Sequence, residues 1–246
     1  MKPERQASGR VPGHARCVAG FARLARLALL GRLAVAFLLG SAQLLAGTAW
    51  AGAQREEPLS DAVRLALAAQ ISDDAPPVPH FHDPRRLVRY LLWLATESSR
   101  LRKRIPDVAA RRALLRTVWY EATRAGLQPS LVLGLIQVES GFNKYAISSA
   151  GALGLMQVMP FWTRQIGNGD RMALFRMRVN LRYGCVILRH YLDEEHGSLF
   201  YALGRYNGSR GRAAYPDAVL AASRQWQVAA PLLAEALPAR PRGAAH

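Results

Sequence analysis

A single carboxylate stands in the middle of this chain among residue types that support acid catalysis. Glu139, in L-I-Q-V-E-S-G-F (135–142), is the only Asp or Glu between positions 122 and 169. The Gly-rich segment G-L-M-Q-V-M-P (154–160) follows it, and R-Y-N-G (205–208) comes much later. A lone carboxyl at the end of an apolar helix, followed by a polar turn and a Tyr-Asn pair, indicates an acid that cleaves sugars.

Such an acid must still hold its proton near neutral pH, where an ordinary glutamate is ionised. Burial against apolar side chains raises the pKa of a carboxyl, and the negative end of a helix acts in the same direction. The helix predicted from Pro129 is apolar on every side up to Val138, which is typical of a buried helix. We therefore expect Glu139 to be buried with a raised pKa. The alternative is a capping or surface glutamate.

The elements that must position this acid are predicted to be helical throughout. Apolar residues recur at helical spacing, with no strand-like alternation and no internal repeat, so the fold class is all-α. Asp107, Asn180 and Ser198 are placed to begin helices, and Pro216 begins a last one. The predicted helices cover roughly 59–67, 85–103, 107–125, 129–139, 180–192, 198–206 and 216–226.

The composition indicates an exported, basic protein. Residues 1–53 combine a basic segment, a long uncharged apolar run and small residues suited to cleavage, as in an export signal; an uncleaved membrane anchor is the alternative. A helical extension with a Pro-rich linker follows at 54–105, the core domain spans 106–229, and the tail at 230–246 is expected to be disordered. Together with the formal charge of +16, the leader favours a periplasmic or cell-envelope protein and argues against a nucleic-acid partner.

Four segments of the core domain together carry a resemblance to a known family. E-S-G-F (139–142), S-S-A-G-A-L-G-L-M-Q-V-M-P (148–160), N-L-R-Y-G-C-V-I-L-R-H-Y-L (180–192) and Y-A-L-G-R-Y-N-G (201–208) closely resemble the soluble lytic transglycosylase family, over about residues 127–226. The resemblance implies a goose-type-lysozyme-like helical domain that cleaves peptidoglycan glycan strands without a metal or cofactor. No single motif would suffice for this identification.

The resemblance also implies roles for individual residues. Glu139 would be the sole acid/base, and Ser148 would help to hold the N-acetyl group beside the reacting carbon. Tyr215 resembles the later tyrosine whose hydroxyl reaches the acid, although the chain before it is short. The remaining matched residues belong to the sugar groove or to the Tyr-Asn pair: Gly154, Met156, Gln157, Met159, Tyr206 and Asn207.

The implied reaction forms a 1,6-anhydro sugar at the β-1,4 bond between N-acetylmuramic acid and N-acetylglucosamine. Two-carboxylate mechanisms need a second acid within about 5–9.5 Å, and the nearest acids in the sequence are Glu121 and Asp170. A hydrolytic muramidase of the same fold and an inactive wall-binding module remain alternatives, and membrane association would follow if the leader were retained. The sequence names no protein partner.

The Tyr-Asn pair lies in a loop more basic than the family's A-Y-N-A-G. Its arginines, Arg205, Arg210 and Arg212, would either meet carboxylates of the peptide stems or simply be solvated, and the sequence favours solvation. Cys185 is predicted to be a core residue rather than a nucleophile, because a reactive thiol needs exposure and a neighbouring histidine.

Overall fold

The computed structural model describes residues 54–72, Phe81 and 83–228. The predicted leader and the tail beyond 229 lie outside these residues. The described part of the chain contains no strand, only two isolated bridges, which confirms the all-α prediction. Eight α helices follow one another: α1 (Asp61–Ser72), α2 (Pro84–Leu101), α3 (Val108–Arg124), α4 (Pro129–Ser140), α5 (Phe161–Ile166), α6 (Met177–Glu194), α7 (Leu199–Asn207) and α8 (Ala214–Gln225), with a 3₁₀ helix at Arg171–Phe175 between α5 and α6.

Local sequence signals explain where several of these helices begin and end. The Asp83 side chain accepts a hydrogen bond from Arg85 N at the start of α2, and Asp107 accepts from Ala109 N and Ala110 N at the start of α3. Pro129 lies in the first turn of α4, where its missing N–H leaves no helical hydrogen bond unmade. Gly141 ends α4 in the left-handed conformation at φ +56°, directly after the turn that carries Glu139.

The prediction that Asn180 caps a helix is wrong. Helix α6 begins three residues earlier, at Met177, so Asn180 lies in its first turns and is fully buried. Its side-chain amide donates to the carbonyls of Leu153 and Leu174, while its carbonyl oxygen accepts from Met156 N. The side chain thus makes long-range contacts in place of a local cap. The short helix α5 and the 3₁₀ helix were not predicted either.

The core is built around α4, which is buried on all sides as its sequence predicts. This helix packs against α8 so closely that a Cβ on Gly134 would lie 2.5 Å from the backbone nitrogen of Ser223. Only glycine permits that approach, since real Cβ atoms do not come so near. The tight packing fixes the position of α8, and with it Tyr215, relative to the acid on α4. Cys185 is buried in α6, as predicted.

The part of the extension that is described packs against the core domain. The Trp162 indole donates to Gln54 Oε1 at 2.9 Å, and Arg124 on α3 donates to Gln70 O on α1 at 2.8 Å. All described residues belong to one compact unit. The boundary at 105/106 stays a prediction. Over the described helices, none combines the length and apolar character needed to cross a bilayer.

Candidate active site

Glu139 lies in the last turn of α4 and is 6% exposed. Its carboxyl group makes one hydrogen bond, in which the Tyr215 hydroxyl donates to Oε1 at 2.5 Å. The second oxygen, Oε2, is also buried, and it has no hydrogen-bond partner among the described residues. A buried carboxylate oxygen without a partner costs free energy, whereas a protonated one carries no charge. The site therefore favours the protonated acid.

Burial raises the pKa of Glu139 to about 8, and the hydrogen bond from Tyr215 partly opposes that rise. The direction agrees with the expectation from the apolar helix. At neutral pH most of the carboxyl groups hold their proton, which is the condition for a general acid. Burial and the neighbouring carboxyl together raise the pKa of Tyr215 well above its usual value, so its hydroxyl remains a donor.

Tyr215 reaches the acid although few residues separate it from the Tyr-Asn pair. Gly208 and Gly211 turn the chain between α7 and α8 with φ values of +80° and +82°, in the region that favours glycine. The two turns bring Tyr215, in the first turn of α8, opposite the end of α4. Tyr215, whose match to the family is the loosest of the predicted site residues, thus contacts Glu139 directly.

The G-L-M-Q segment forms a buried turn fixed by its own polar groups. Gln157 is 1% exposed, and its amide donates to Gly154 O at 2.8 Å and to Ala146 O at 3.2 Å. Gly154 has φ +77°, and a Cβ there would lie 2.4 Å from Nδ2 of Asn180. The side chain of Gln157 therefore holds the turn together, and its amide nitrogen points at backbone rather than at solvent.

Two further bonds tie this turn to the helices around the acid. Tyr206 on α7 donates from its hydroxyl to Met156 O at 2.8 Å. Ser140, directly after Glu139, donates to Leu155 O at 2.7 Å. Both tyrosines of the predicted site are fully buried, and burial together with the charge of Glu139 raises the pKa of Tyr206. The structure thus brings Glu139, Tyr215, Tyr206 and the 154–158 turn into one connected cluster.

The other predicted site residues lie at the edges of this cluster. Ser148 is half-buried, and its hydroxyl accepts from Ala152 N at 3.0 Å within the preceding loop. Met159 is partly buried against the core, and Asn207 is buried at the end of α7. Their assignment to substrate binding stays a prediction.

Neither of the acids nearest in sequence is available as a second catalytic carboxylate. Glu121 is buried and accepts from both Nε and Nη2 of Arg182 at 3.0–3.2 Å. Asp170 caps the 3₁₀ helix and pairs with Arg176 at 3.5 Å. Each carboxylate is already held by an arginine in a structural role, and no second acid contributes to the pKa of Glu139.

The arginines of the Tyr-Asn loop were expected to be solvated, and two of the three also form ion pairs within the protein, although Arg210 remains half exposed. Arg205 and Arg210 both donate to the buried carboxylate of Glu195, and Arg205 also pairs with Glu57 at 2.9 Å. Hydrogen bonds from the two guanidinium groups lower the pKa of Glu195 to about 2. Of the three, only Arg212 makes no ion pair in the described part of the chain. The pairs with Glu195 tie α7 and the loop after it to the end of α6.

Two cavities open on the described surface, and neither is lined by Glu139. One, of about 840 Å³, lies between α1, the 3₁₀ helix and α6, and the other, of about 760 Å³, lies between α2 and α3. Oε2 of Glu139 is itself covered in the described structure. Among the residues that the structure describes there is no cluster of three or more potential metal ligands.

Sequence reasoning missed Asn180 and Gln54 as supports of the site. Gln54 is buried beside Trp162, and it lowers the otherwise raised pKa of Tyr206 by a side-chain hydrogen-bond interaction. No local signal marks Gln54, because its contacts are more than 100 residues away. Asn180 was predicted only as a helix cap, because its bridge to the turn depends on the tertiary fold.

Comparison with known proteins agrees with this arrangement. Residues 117–219 match the family model of the Transglycosylase SLT domain, a range that includes Glu139, the 154–160 turn, the Tyr-Asn pair and Tyr215. This match confirms the family resemblance over residues 117–219.

Individual relatives match shorter stretches. Membrane-bound lytic murein transglycosylase C of Actinobacillus pleuropneumoniae serotype 5b is 43% identical over 81 residues, covering 30% of this chain and 22% of that protein. The protein of the same name in Glaesserella parasuis serovar 5 is 52% identical over 96 residues, covering 36% and 26%. The chain thus spans about a quarter of the length of these relatives. A structure of an inactive mutant of lytic transglycosylase Slt from Pseudomonas aeruginosa aligns with a TM-score of 0.37 at 25% identity, covering 58% of this chain and 27% of that one.

Proposed function

We propose that the protein is a peptidoglycan lytic transglycosylase with Glu139 as its only catalytic acid and base. The observation that carries the proposal is the state of this side chain: it is buried, its pKa is raised to about 8, and its one hydrogen bond among the described residues comes from a tyrosine hydroxyl. The substrate is the β-1,4 bond between N-acetylmuramic acid and N-acetylglucosamine. The SLT-domain match and the relatives named as lytic murein transglycosylases support this assignment.

In the first step the protonated Glu139 gives its proton to the glycosidic oxygen as the bond from that oxygen to the muramic C1 breaks. Oε2 is the oxygen free to carry that proton, because Oε1 accepts from Tyr215. The positive charge that develops at C1 is taken up by the N-acetyl group of the same sugar, since neither Glu121 nor Asp170 is available as a second carboxylate. Ser148 would orient that N-acetyl group.

In the second step Glu139 acts as a base. The muramic 6-hydroxyl attacks C1, and its proton passes to the carboxylate, which returns the acid to its starting state. The Tyr215 hydroxyl stabilises the carboxylate between the two steps by its short hydrogen bond. One C–O bond breaks and one forms, so the product is a 1,6-anhydro end and no water is consumed.

The remaining predicted residues bind the strand or support those that do. The backbone of the turn at Gly154, Met156 and Gln157, together with Met159, would line the sugar groove. Tyr206 and Asn207 would close it from α7. Since Gln157 and Tyr206 are engaged with backbone carbonyls, their contribution is to fix the shape of the turn. The chemistry requires no metal or cofactor.

The proposed place of action is the cell envelope. The relatives are named as membrane-bound murein enzymes, and the sequence of residues 1–53 predicts export or anchoring. The partner is the glycan strand of peptidoglycan, and no nucleic acid is expected.

The test is product analysis on purified sacculi with the wild type beside Glu139→Gln. We expect the wild type to release fragments with anhydro-muramic ends and the variant to release none while keeping its circular dichroism spectrum. Reducing ends in the mass spectra would indicate a muramidase instead. Sacculus binding without release by the wild type would indicate an inactive wall-binding module, and full activity of the variant would remove Glu139 from its role.

A further inference from the structure

An exposed aromatic side chain stands on the loop that the active-site turn holds in place. Tyr145 is 62% exposed, although it lies only six residues after Glu139. Its backbone nitrogen donates to Asn143 Oδ1 at 3.0 Å. The carbonyl of the next residue, Ala146, accepts from Gly154 N at 2.9 Å and from Gln157 Nε2 at 3.2 Å. Hydrogen bonds from the buried turn therefore fix the backbone of the loop, while the Tyr145 ring is exposed to solvent.

A cation lies on this ring. Lys144 Nζ is 4.7 Å from the ring centroid of Tyr145, within the range of a cation–π contact. In the described part of the chain Lys144 makes no ion pair, whereas Arg205 and Arg210 are neutralised by Glu195. The ammonium is held in position without being compensated by a carboxylate.

Packing on one side keeps the ring in place. The ring of Phe175, the last residue of the 3₁₀ helix, lies 6.2 Å from the Tyr145 ring at an angle of 47°. Ile147, two residues after Tyr145, is 66% exposed. The two exposed side chains therefore place apolar surface on both sides of Ala146 in this loop. Ser148, the residue after Ile147, belongs to the proposed substrate site.

We propose that Lys144 and Tyr145 form a binding subsite for a peptide-bearing sugar of the glycan strand, adjacent to the bond that is cleaved. The ring would pack against the apolar face of the sugar, and the ammonium would pair with a carboxylate of its lactyl-peptide stem. The inference rests on the proposed function for the identity of the glycan. Since neither side chain touches the acid, the subsite acts on binding and not on the chemical step.

The chain offers a matched control. Tyr201 on α7 is 41% exposed and carries the Arg210 guanidinium 4.8 Å from its ring centroid. It has the same ring, which is also exposed though less than that of Tyr145, and a cation at nearly the same distance, but its cation is already paired with Glu195. Tyr201→Ala therefore removes an exposed tyrosine and its cation contact without touching the 143–149 loop.

The experiment measures binding to sacculi in the Glu139→Gln background, so that no strand is cut. We expect Tyr145→Ala to weaken binding by roughly three- to tenfold, the range that one aromatic or cation contact supports, and Tyr201→Ala to leave it unchanged. Lys144→Ala should weaken binding to intact sacculi, and its effect should be absent on N-acetylglucosamine oligomers, which carry neither a lactyl group nor a peptide stem. Lys144→Arg should retain the binding. Equal effects of the two tyrosine variants, or a Lys144→Ala effect of the same size on N-acetylglucosamine oligomers, would overturn the proposal.

A kinetic measurement separates this subsite from the catalytic proposal. With Glu139 intact, Tyr145→Ala should raise KM on stem-bearing strands and leave kcat nearly unchanged, because the contact is equal in the ground and transition states. A wild type without any cleavage would defeat the proposed function, yet the binding comparison would still decide the subsite. An unchanged KM in an active enzyme would defeat the subsite alone.

Discussion

The strongest quantitative consequence of the buried acid is a pH-dependent cost to the stability of the fold. The pKa of Glu139 is about 8 in the folded protein, against 4.5 for an unperturbed glutamate. Because the folded state holds this proton more tightly than the unfolded chain, the stabilisation from the protonated acid is complete below pH 4.5 and is lost as the pH rises to 8. Each unit of pH in that window lowers the free energy of unfolding by about 1.4 kcal/mol. Between pH 5 and 8 the loss amounts to roughly 4 kcal/mol, a large part of the 5–15 kcal/mol typical of a domain.

Glu139→Gln removes the titration, so the free energy of unfolding of the variant should fall less with pH than that of the wild type. The variant should match or trail the wild type at pH 5 and exceed it at pH 8, with the difference growing by up to about 4 kcal/mol. Urea unfolding at pH 5, 6.5 and 8 measures it. Parallel stability curves for the two proteins would refute the reasoning, because they would mean that the carboxyl titrates alike in the folded and unfolded states.

A second buried acid provides the control. Glu97 on α2 is fully buried, has one oxygen without a hydrogen-bond partner in the described structure, and has a pKa raised to about 7 by burial despite its pair with Arg100. The protonated Glu97 also stabilises the fold, and this stabilisation is lost as the pH rises to about 7. Glu97→Gln should therefore make the fall of the free energy of unfolding less steep below pH 7, where Glu139 still contributes. It should leave the loss between pH 7 and 8 unchanged, because that loss belongs to Glu139. If the loss above pH 7 disappeared as well, the two titrations would have been assigned wrongly.

Three further predictions follow from the cluster around the acid. Tyr215→Phe removes a hydrogen bond that stabilises the Glu139 carboxylate, so the alkaline limb of the pH profile of kcat/KM should move up by about one pH unit. The Tyr206 hydroxyl donates to a backbone carbonyl instead, so Tyr206→Phe should lower activity without moving that limb. Gly154→Ala should unfold or inactivate the protein because its Cβ would meet Asn180, whereas Gly151→Ala, at φ +86° in open space, should cost only about 1 kcal/mol in urea unfolding. Gln54→Ala should lower the melting temperature by a few degrees through the lost indole hydrogen bond; no change would mean that the segment before α1 does not support the site.

The sequence predicts the helices well where the signal is local. Asp107 begins a helix through its own side chain, as predicted, and signals of the same local kind start α2 at Asp83 and end α4 at Gly141. The same rule failed for Asn180, because an asparagine that could cap a helix is chemically identical to one that bridges a buried turn. Residue type gives the hydrogen-bonding capacity, and only the tertiary fold decides where it is used.

The candidate site likewise contains features that the sequence predicts and features that only the tertiary structure shows. Burial of Glu139 and its raised pKa were predictable because they follow from the apolar helix that carries it. The commitment of Arg205 and Arg210 to Glu195 was not, since an arginine in a loop gives no sign of whether a carboxylate faces it. The contact from Tyr215 came from the family resemblance alone, and the two glycine turns that make it possible can be identified only afterwards.

One acid that serves first as donor and then as base needs a pKa close to the pH at which it works. Burial alone would raise the pKa of Glu139 further and leave the carboxylate without stabilisation after the proton is given away. The Tyr215 hydroxyl counters this by stabilising the ionised form, and burial keeps that hydroxyl protonated. The same burial removes Oε2 from water in the described structure, which keeps the proton on the acid. The neighbouring turn is fixed by the side chains of Asn180, Gln157 and Tyr206, each of which donates to a backbone carbonyl, so the turn supports the acid and its tyrosine in their positions.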